Sequence, residues 1–174
     1  MYMSDQLEPV YQGRIIQLGI ETITMPNGVS VELEIVRHPG GAAVVAVDAR
    51  EQVCLLRQYR HAAGGWLWEL PAGKLEQGEP AETTAARELA EEAGLQASRW
   101  ETLGRLLATP GFCDEIIHLF LARNLTETTA QPERHELFEI HWIPFASALE
   151  QVYNGTIIDA KTMLGLTLAA RTIG

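Results

Sequence analysis

Cysteine is scarce in this chain, and basic residues are fewer than acidic ones. Only two cysteines occur in 174 residues, Cys54 in the apolar run VCLL and Cys113 in a glycine-containing loop, which argues against a disulfide framework. Lys and Arg number 13 against 23 Asp and Glu, for a net charge of −10. Because nonspecific affinity for nucleic acid comes largely from Lys and Arg that contact phosphates, we expect no nucleic-acid partner. A small anionic substrate is still compatible, since a metal ion and a few arginines can reverse the sign within one cleft.

Long hydrophobic runs are also missing. No apolar run approaches the length of a membrane span, and the first residues, MYMSDQLEP, contain no basic segment followed by an apolar core. We therefore expect no membrane partner and a cytoplasmic location. The chain is 47% apolar and 21% charged, which is ordinary for a globular protein, and its length fits one domain with a core of its own.

Turn signals and apolar patterning predict more strands than helices. Two β-rich runs flank Pro26-Asn27-Gly28, and Asn-Gly tolerates the positive φ angles of a tight turn, so residues 13–37 are predicted to form a hairpin. Further strands are expected at 42–48, 52–60, 66–73, 101–107, 116–121 and 137–143, a loop at 122–136, and helices at 145–155 and 159–171, the second capped by Asp159. This order predicts a mixed α/β or α+β fold in which helices pack on a sheet.

A third helix is predicted between Pro80, which suits a first helical turn, and Gly94, which suits the position just beyond the end. Its residues Ala85 and Leu89, with Ala93, form an apolar stripe that would pack on the sheet. The rest of the segment is rich in glutamate, for which a solvated surface is the usual explanation. That explanation fits Glu76 and Glu82.

Three of these glutamates have a more specific arrangement. Glu88, Glu91 and Glu92 stand at i, i+3 and i+4, so they share one helix face and repel one another. Two of them lie near the C-terminal end, where the helix dipole disfavours anions. A divalent cation would remove this penalty, because carboxylate oxygens are ligands that Mg²⁺ and Mn²⁺ favour. The spacing therefore predicts a metal site.

The segment GKLEQGEPAETTAARELAEEAGL (73–95) resembles the Nudix box at every specified position. The resemblance implies an α/β/α sandwich of mixed sheets and hydrolysis of a nucleoside diphosphate linked to another moiety, with Mg²⁺ or Mn²⁺ as cofactor. It implies Glu88 and Glu92 as the principal metal ligands, Glu91 as a further or water-bridged one, and the Ala72 carbonyl as the last. Glu79 and Arg87 are members of the same catalytic motif that would brace the loop against the helix.

Residues outside the box resemble the ADP-ribose pyrophosphatase branch, which cleaves ADP-ribose to AMP and ribose 5-phosphate. The markers are RQYR (57–60), ELPAG (69–73) and Pro110 in TPGFCDE, which make Arg57, Arg60, Glu69 and Pro110 the candidate substrate-binding residues. On a regular strand Arg57 and Arg60 face opposite ways, so at most one reaches the diphosphate unless a bulge intervenes. Glu69 is a candidate for a ribose hydrogen bond or for help with the metal.

The branch also implies a general base, a glutamate on a mobile loop before a late strand. The run HELFEIHWIP places Glu136 at that position, with Glu133 as the second candidate. Glu115, in the turn FCDE, is a further acid that either approaches the metal or has a structural role.

The same resemblance implies that the N-terminal hairpin is an extension that pairs across a two-fold axis. We therefore expect residues 1–37 to serve dimerisation, residues 38–174 to form the Nudix domain, and the protein to be a homodimer. Two alternatives stay open: a related nucleotide-sugar pyrophosphatase acting, for instance, on GDP-mannose, and a noncatalytic nucleotide sensor on the same fold.

Overall fold

The computed structural model describes residues 7–131 and 136–173. Within these ranges the chain forms ten strands and three α-helices, plus a 3₁₀ turn at His61–Ala63. The elements are β1 (Glu8–Gln12), β2 (Gln17–Thr24), β3 (Ser30–Arg37), β4 (Gly41–Ala46), β5 (Gln52–Arg60), β6 (Gly65–Glu69), β7 (Ala72–Lys74), α1 (Ala81–Ala93), β8 (Leu95–Leu107), β9 (Ile116–Glu127), β10 (Phe138–Pro144), α2 (Phe145–Tyr153) and α3 (Ala160–Ile173). No helix of this part of the chain is both long and apolar enough to cross a membrane.

Strand β4 lies at the centre of the fold. It belongs to the sheet β7-β4-β9-β8, in which it runs parallel to β9 and antiparallel to β7. Ala43 and Val45 point into a core shared with α2 and α3, whereas Ala42 and Val44 point into a second core with residues of α1. Helices thus cover both faces of the sheet, and the predicted α/β/α sandwich is confirmed.

The remaining strands form two smaller sheets, with the orders β1-β2-β3 and β10-β5-β6. The predicted hairpin is confirmed: β2 and β3 pair without interruption from Gln17 opposite Arg37 to Thr24 opposite Ser30. Gly28 occupies the turn with a φ of 83°. Strand β1 was not predicted, because all five of its residues are exposed and it therefore lacks the alternating apolar pattern of a half-buried strand.

Several predicted boundaries were wrong. Strand β8, predicted at 101–107, begins at Leu95. Residues 66–73 form two strands, β6 and β7, separated at Leu70 and Pro71, because proline cannot donate to a strand ladder. Residues 122–127, predicted as part of a loop, continue β9 and pair with residues 95–100 of β8. This end of β9 is held by backbone hydrogen bonds, and Asn124, Thr126 and Glu127 are exposed, so its apolar pattern is weak.

Helix α1 begins one residue later than the proline signal indicated. Pro80 precedes the helix in an extended conformation, and Ala81 is the first helical residue. The end was predicted correctly: Gly94 has a φ of 64°, and its N–H donates to the carbonyls of Ala90 and Leu89. Because Gly94 turns the chain directly into β8, it fixes the path from the acidic helix back to the sheet.

Gly94→Ala is expected to destabilise the fold by about 1–2 kcal/mol from the left-handed backbone alone. A Cβ at this position would also lie 3.0 Å from the Thr128 carbonyl oxygen. The matched control is Gly155→Ala, since Gly155 also has a positive φ, of 80°, but has open space around it. Urea unfolding midpoints should fall further for Gly94→Ala than for Gly155→Ala; equal shifts would mean that the contact with Thr128 carries no cost.

Candidate active site

A cavity of about 670 Å³ opens beside β7. Ala72 and Gly73 of β7 form one part of its wall, Arg60 and Lys161 form another, and Glu136 lies at the start of the segment that leads into β10. The Tyr59 N–H donates to the Leu137 carbonyl at 2.9 Å, which fixes that segment against β5. The cavity therefore combines the backbone of Ala72 and Gly73, here called the metal loop, with acidic and basic side chains from three other parts of the chain.

The carboxylates of α1 lie directly behind this wall. Glu92 is only 1% exposed, and its Oε2 accepts the Ala72 N–H at 2.8 Å. Glu88 is also buried and packs so close to Gly73 that a Cβ there would overlap its carboxylate, which explains the glycine. The side chain of Glu91 is 43% exposed and points more toward solvent. Helix α1 thus presents two buried acids and one partly exposed acid to the loop.

The buried acids resist ionisation. Burial raises the pKa of Glu92 to about 8, assisted by the nearby charges of Glu88 and Glu136 and opposed by the hydrogen bond from Ala72. Burial also raises the pKa of Glu88, although the neighbouring Arg87 counteracts it. Glu136, whose charge acts on both acids, therefore lies close to them.

Arg87 connects the acids of the motif. Its guanidinium donates to Glu88 at 2.7 Å and to Glu91 at 3.2 Å, and it contacts both carboxylate oxygens of Glu79 at 3.2–3.3 Å. It also donates to the carbonyl of Lys74 at 3.2 Å, so it ties α1 to the strand β7. The hydrogen bonds of Arg87 are the first cause that lowers the pKa of Glu79 to about 2. This is the bracing geometry that the motif predicts for the pair.

The donor set fits a divalent cation. Among the described residues, no three His, Cys, Asp or Glu side chains already converge to hold a metal ion. However, Glu88 and Glu92 are hard oxygen donors whose raised pKa values reflect burial first and then repulsion by neighbouring carboxylates. A divalent cation would favour their ionised forms, and Mg²⁺ typically uses one or two carboxylates together with waters and substrate phosphates.

A second charged cluster lies across the cavity and was only partly foreseen. Glu69 is 1% exposed, and its carboxylate accepts from Arg60 at 2.8 and 3.0 Å and from Lys161 at 2.5 Å. Burial opposes its ionisation, but the hydrogen bonds and charges of Arg60 and Lys161 outweigh that effect and hold the pKa of Glu69 below its usual value. Lys161 was missed, and only its place in the first turn after the predicted cap Asp159 could have indicated it.

Arg57 and Arg60 face opposite sides of β5. The strand pairs with β6 without a register shift, so no bulge brings the two arginines together. Arg60 lines the cavity, whereas the guanidinium of Arg57 lies 5.2 Å from the centre of the Trp68 ring and is not part of the lining. The expectation that at most one of them reaches the diphosphate agrees with this geometry.

The other predicted residues are divided between the cavity and its surroundings. Glu115 lines the cavity, and its Oε1 lies 3.4 Å from Nδ1 of His38. Pro110 is exposed and is not among the lining residues. Glu133 lies outside the described residues. The structure thus brings Arg60, Glu136 and the metal loop around one space and leaves Arg57 and Pro110 outside it.

The site thus consists of two buried acids of helix α1 that lie against the backbone of Ala72 and Gly73, within an α/β/α sandwich. The family profile described as NUDIX domain matches residues 37–164, and the chain belongs to the Nudix family.

Individual relatives agree with this assignment. The chain is 42% identical over 171 residues to a Mycobacterium tuberculosis protein named ADP-ribose pyrophosphatase, covering 96% of this chain and 83% of that protein. It is 37% identical over 161 residues to a Bacillus methanolicus protein named methanol dehydrogenase activator, covering 91% and 87%. A crystal structure described as an ADP compounds hydrolase matches with a TM-score of 0.83 at 21% identity, covering 97% of this chain and 92% of that one, which supports the fold.

Glu92→Gln is expected to change the pH dependence of stability in the metal-free protein. The folded chain holds the Glu92 proton up to about pH 8, against a usual value of 4.5. Between these values the unfolded chain binds fewer protons, so this residue makes the wild type lose stability as pH rises. The glutamine variant lacks that loss and should gain a few degrees in Tm relative to the wild type between pH 5 and pH 8.5.

Thermal unfolding of chelator-treated protein across this range measures the effect. Glu82→Gln, an exposed change on the same helix, is the control and should track the wild type. Added Mg²⁺ should raise the Tm of the wild type and of Glu82→Gln but not of Glu92→Gln. A constant difference between Glu92→Gln and wild type at every pH would contradict the assignment of a buried, protonated Glu92.

Proposed function

We propose that this protein hydrolyses ADP-ribose to AMP and ribose 5-phosphate with Mg²⁺, which Mn²⁺ can replace. The observation that carries the proposal is the cavity in which the Ala72–Gly73 backbone, with Glu88 and Glu92 behind it, meets Arg60 and Glu136. Its volume of about 670 Å³ suits a ligand of nucleotide-sugar size. The name of the mycobacterial relative supports the same substrate.

Seven of the predicted residues receive roles in this proposal. Glu88, Glu92, Glu91 and the Ala72 carbonyl would hold the cation, which lowers the pKa of a bound water and neutralises diphosphate charge. Glu136 accepts the proton of the attacking water, because it lines the cavity and lies near Glu88 and Glu92. Arg60 contacts the diphosphate of the substrate with its positive charge, and Glu69 holds its guanidinium in place.

The remaining proposals concern assembly and location. Residues 1–37 would form a dimerisation extension of a domain comprising residues 38–174, and Arg57 would contact the second subunit. Support comes from the large apolar side chains that the extension exposes, which are Val10, Tyr11, Ile15, Ile16, Met25, Val29 and Leu33. The net charge of −10 supports a role without nucleic acid. We propose a cytoplasmic location for the protein.

A substrate panel tests the reaction. ADP-ribose, GDP-mannose, other nucleotide sugars and dinucleotides are assayed with Mg²⁺ and with Mn²⁺, and products are separated by chromatography. We expect the highest kcat/KM for ADP-ribose, with AMP and ribose 5-phosphate in equal amounts. A clear preference for GDP-mannose would replace the substrate, and inactivity on the whole panel would favour a nucleotide sensor.

Glu136→Gln tests the general base. Loss of a positioned base typically lowers turnover by about 10²–10⁴-fold, so kcat should fall by at least about 100-fold. The affinity for Mn²⁺ measured by calorimetry should change little, because the metal ligands are intact. Glu133→Gln is the matched comparison and should keep most of the turnover; the reverse result would transfer the role to Glu133.

A further inference from the structure

The segment Glu69–Gly73 passes between two helices and is fixed by both. On one side the Ala72 N–H donates to Glu92 of α1, and Gly73 packs against Glu88. Its Pro71 carbonyl accepts the Val44 N–H of the central strand at 2.9 Å. On the other side the segment meets the first turn of α3, which the proposed reaction does not use.

A chain of hydrogen bonds links α3 to this segment. The backbone N–H of Leu70 donates to Oγ1 of Thr162 at 2.9 Å, and that hydroxyl donates to Oδ2 of Asp159 at 2.6 Å. The same Asp159 oxygen accepts the Thr162 N–H at 3.0 Å, as a helix cap does. Thr162 is 0% exposed. The hydroxyl therefore satisfies a buried backbone donor that would otherwise have to find another acceptor.

Two further contacts join the same elements. Lys161 bridges Asp159 at 3.0 Å and Glu69 at 2.5 Å, so a partly buried ion pair lies next to the hydrogen-bond chain. Gly165, one turn further along α3, packs directly on Leu70: a Cβ there would lie 2.7 Å from a Leu70 methyl carbon. The helix thus approaches the segment closely enough for a small displacement of either to be transmitted to the other.

We propose that the first turn of α3, through Asp159, Lys161 and Thr162, positions the metal loop. Thr162 is a positioning residue: it holds Leu70, two residues before Ala72, whose N–H meets Glu92 and whose carbonyl is the proposed metal ligand. This inference rests on the proposed function for the identity of the site, but the mechanical connection from Thr162 to Ala72 does not. The C-terminal helix is thereby part of the active-site frame.

Three variants separate the hydroxyl from its surroundings. Thr162→Val keeps the shape of the side chain and removes the hydroxyl, whereas Thr162→Ser keeps the hydroxyl and removes the methyl. Thr167→Val is the matched control, because Thr167 lies on the same helix and its exposed hydroxyl donates to the Met163 carbonyl. Two quantities are measured: amide exchange of Ala72 by NMR in the metal-free protein, and Mn²⁺ affinity by calorimetry.

In Thr162→Val we expect faster exchange at Ala72 and a Mn²⁺ affinity weakened by about 10–100-fold, the usual effect of losing a group that orients a ligand. Thr162→Ser and Thr167→Val should resemble the wild type in both. If Thr162→Val fails to fold, Asp159→Asn replaces it, since Asn retains the cap but removes the charged acceptor.

Other outcomes overturn the proposal. An unchanged Ala72 exchange rate in Thr162→Val would show that the hydroxyl does not position the loop, even if the Tm falls. Faster exchange with unchanged Mn²⁺ affinity would limit Thr162 to a structural role. If the wild type binds no Mn²⁺, the proposed function fails, while the Ala72 exchange rate still decides whether α3 positions this segment.

Discussion

The hydrogen bond from the Ala72 N–H to Glu92 is the interaction on which the site depends. It joins the end of the acidic helix α1 to the short strand β7 across 20 residues of sequence. Because Glu92 is almost completely buried, its carboxylate has lost its hydration, and this backbone donor supplies part of the replacement. The position of the loop, the shape of the cavity wall and the raised pKa of Glu92 all follow from this burial.

The glutamates of and around α1 differ in pKa because they differ in burial and in their contacts with Arg87. Glu79 is held ionised by Arg87, whose positive charge also reaches Glu88 and Glu91. In the described part of the chain Glu92 accepts the Ala72 N–H and forms no ion pair with Arg87, and its pKa rises. Arg87 therefore holds Glu79 ionised, whereas burial outweighs the effect of Arg87 at Glu88, whose pKa is raised like that of Glu92.

Much of the fold and most of the site were predictable because they depend on local patterns. The Asn-Gly turn, the Gly94 helix end and the i, i+3, i+4 spacing of the glutamates are properties of short segments. The strand at 122–127 was missed because backbone pairing with β8 holds it although only Ala122 and Leu125 contribute apolar side chains to the core. Lys161 and Thr162 were missed because their partners, Glu69 and Leu70, are 92 residues away in sequence, and no local pattern encodes such a contact.

The unbroken register of β5 changes how the run RQYR is understood. A strand has two sides, and its neighbours in sequence therefore belong to different surroundings: Arg60 meets Glu69 at the cavity, and Arg57 rests on Trp68. The four adjacent residues 57–60, which form one motif in the sequence, thus contribute their arginines to two separate surfaces of the molecule. Selection on ligand affinity would act on Arg60, and selection on the packing around Trp68 would act on Arg57. The two arginines could therefore change independently in evolution.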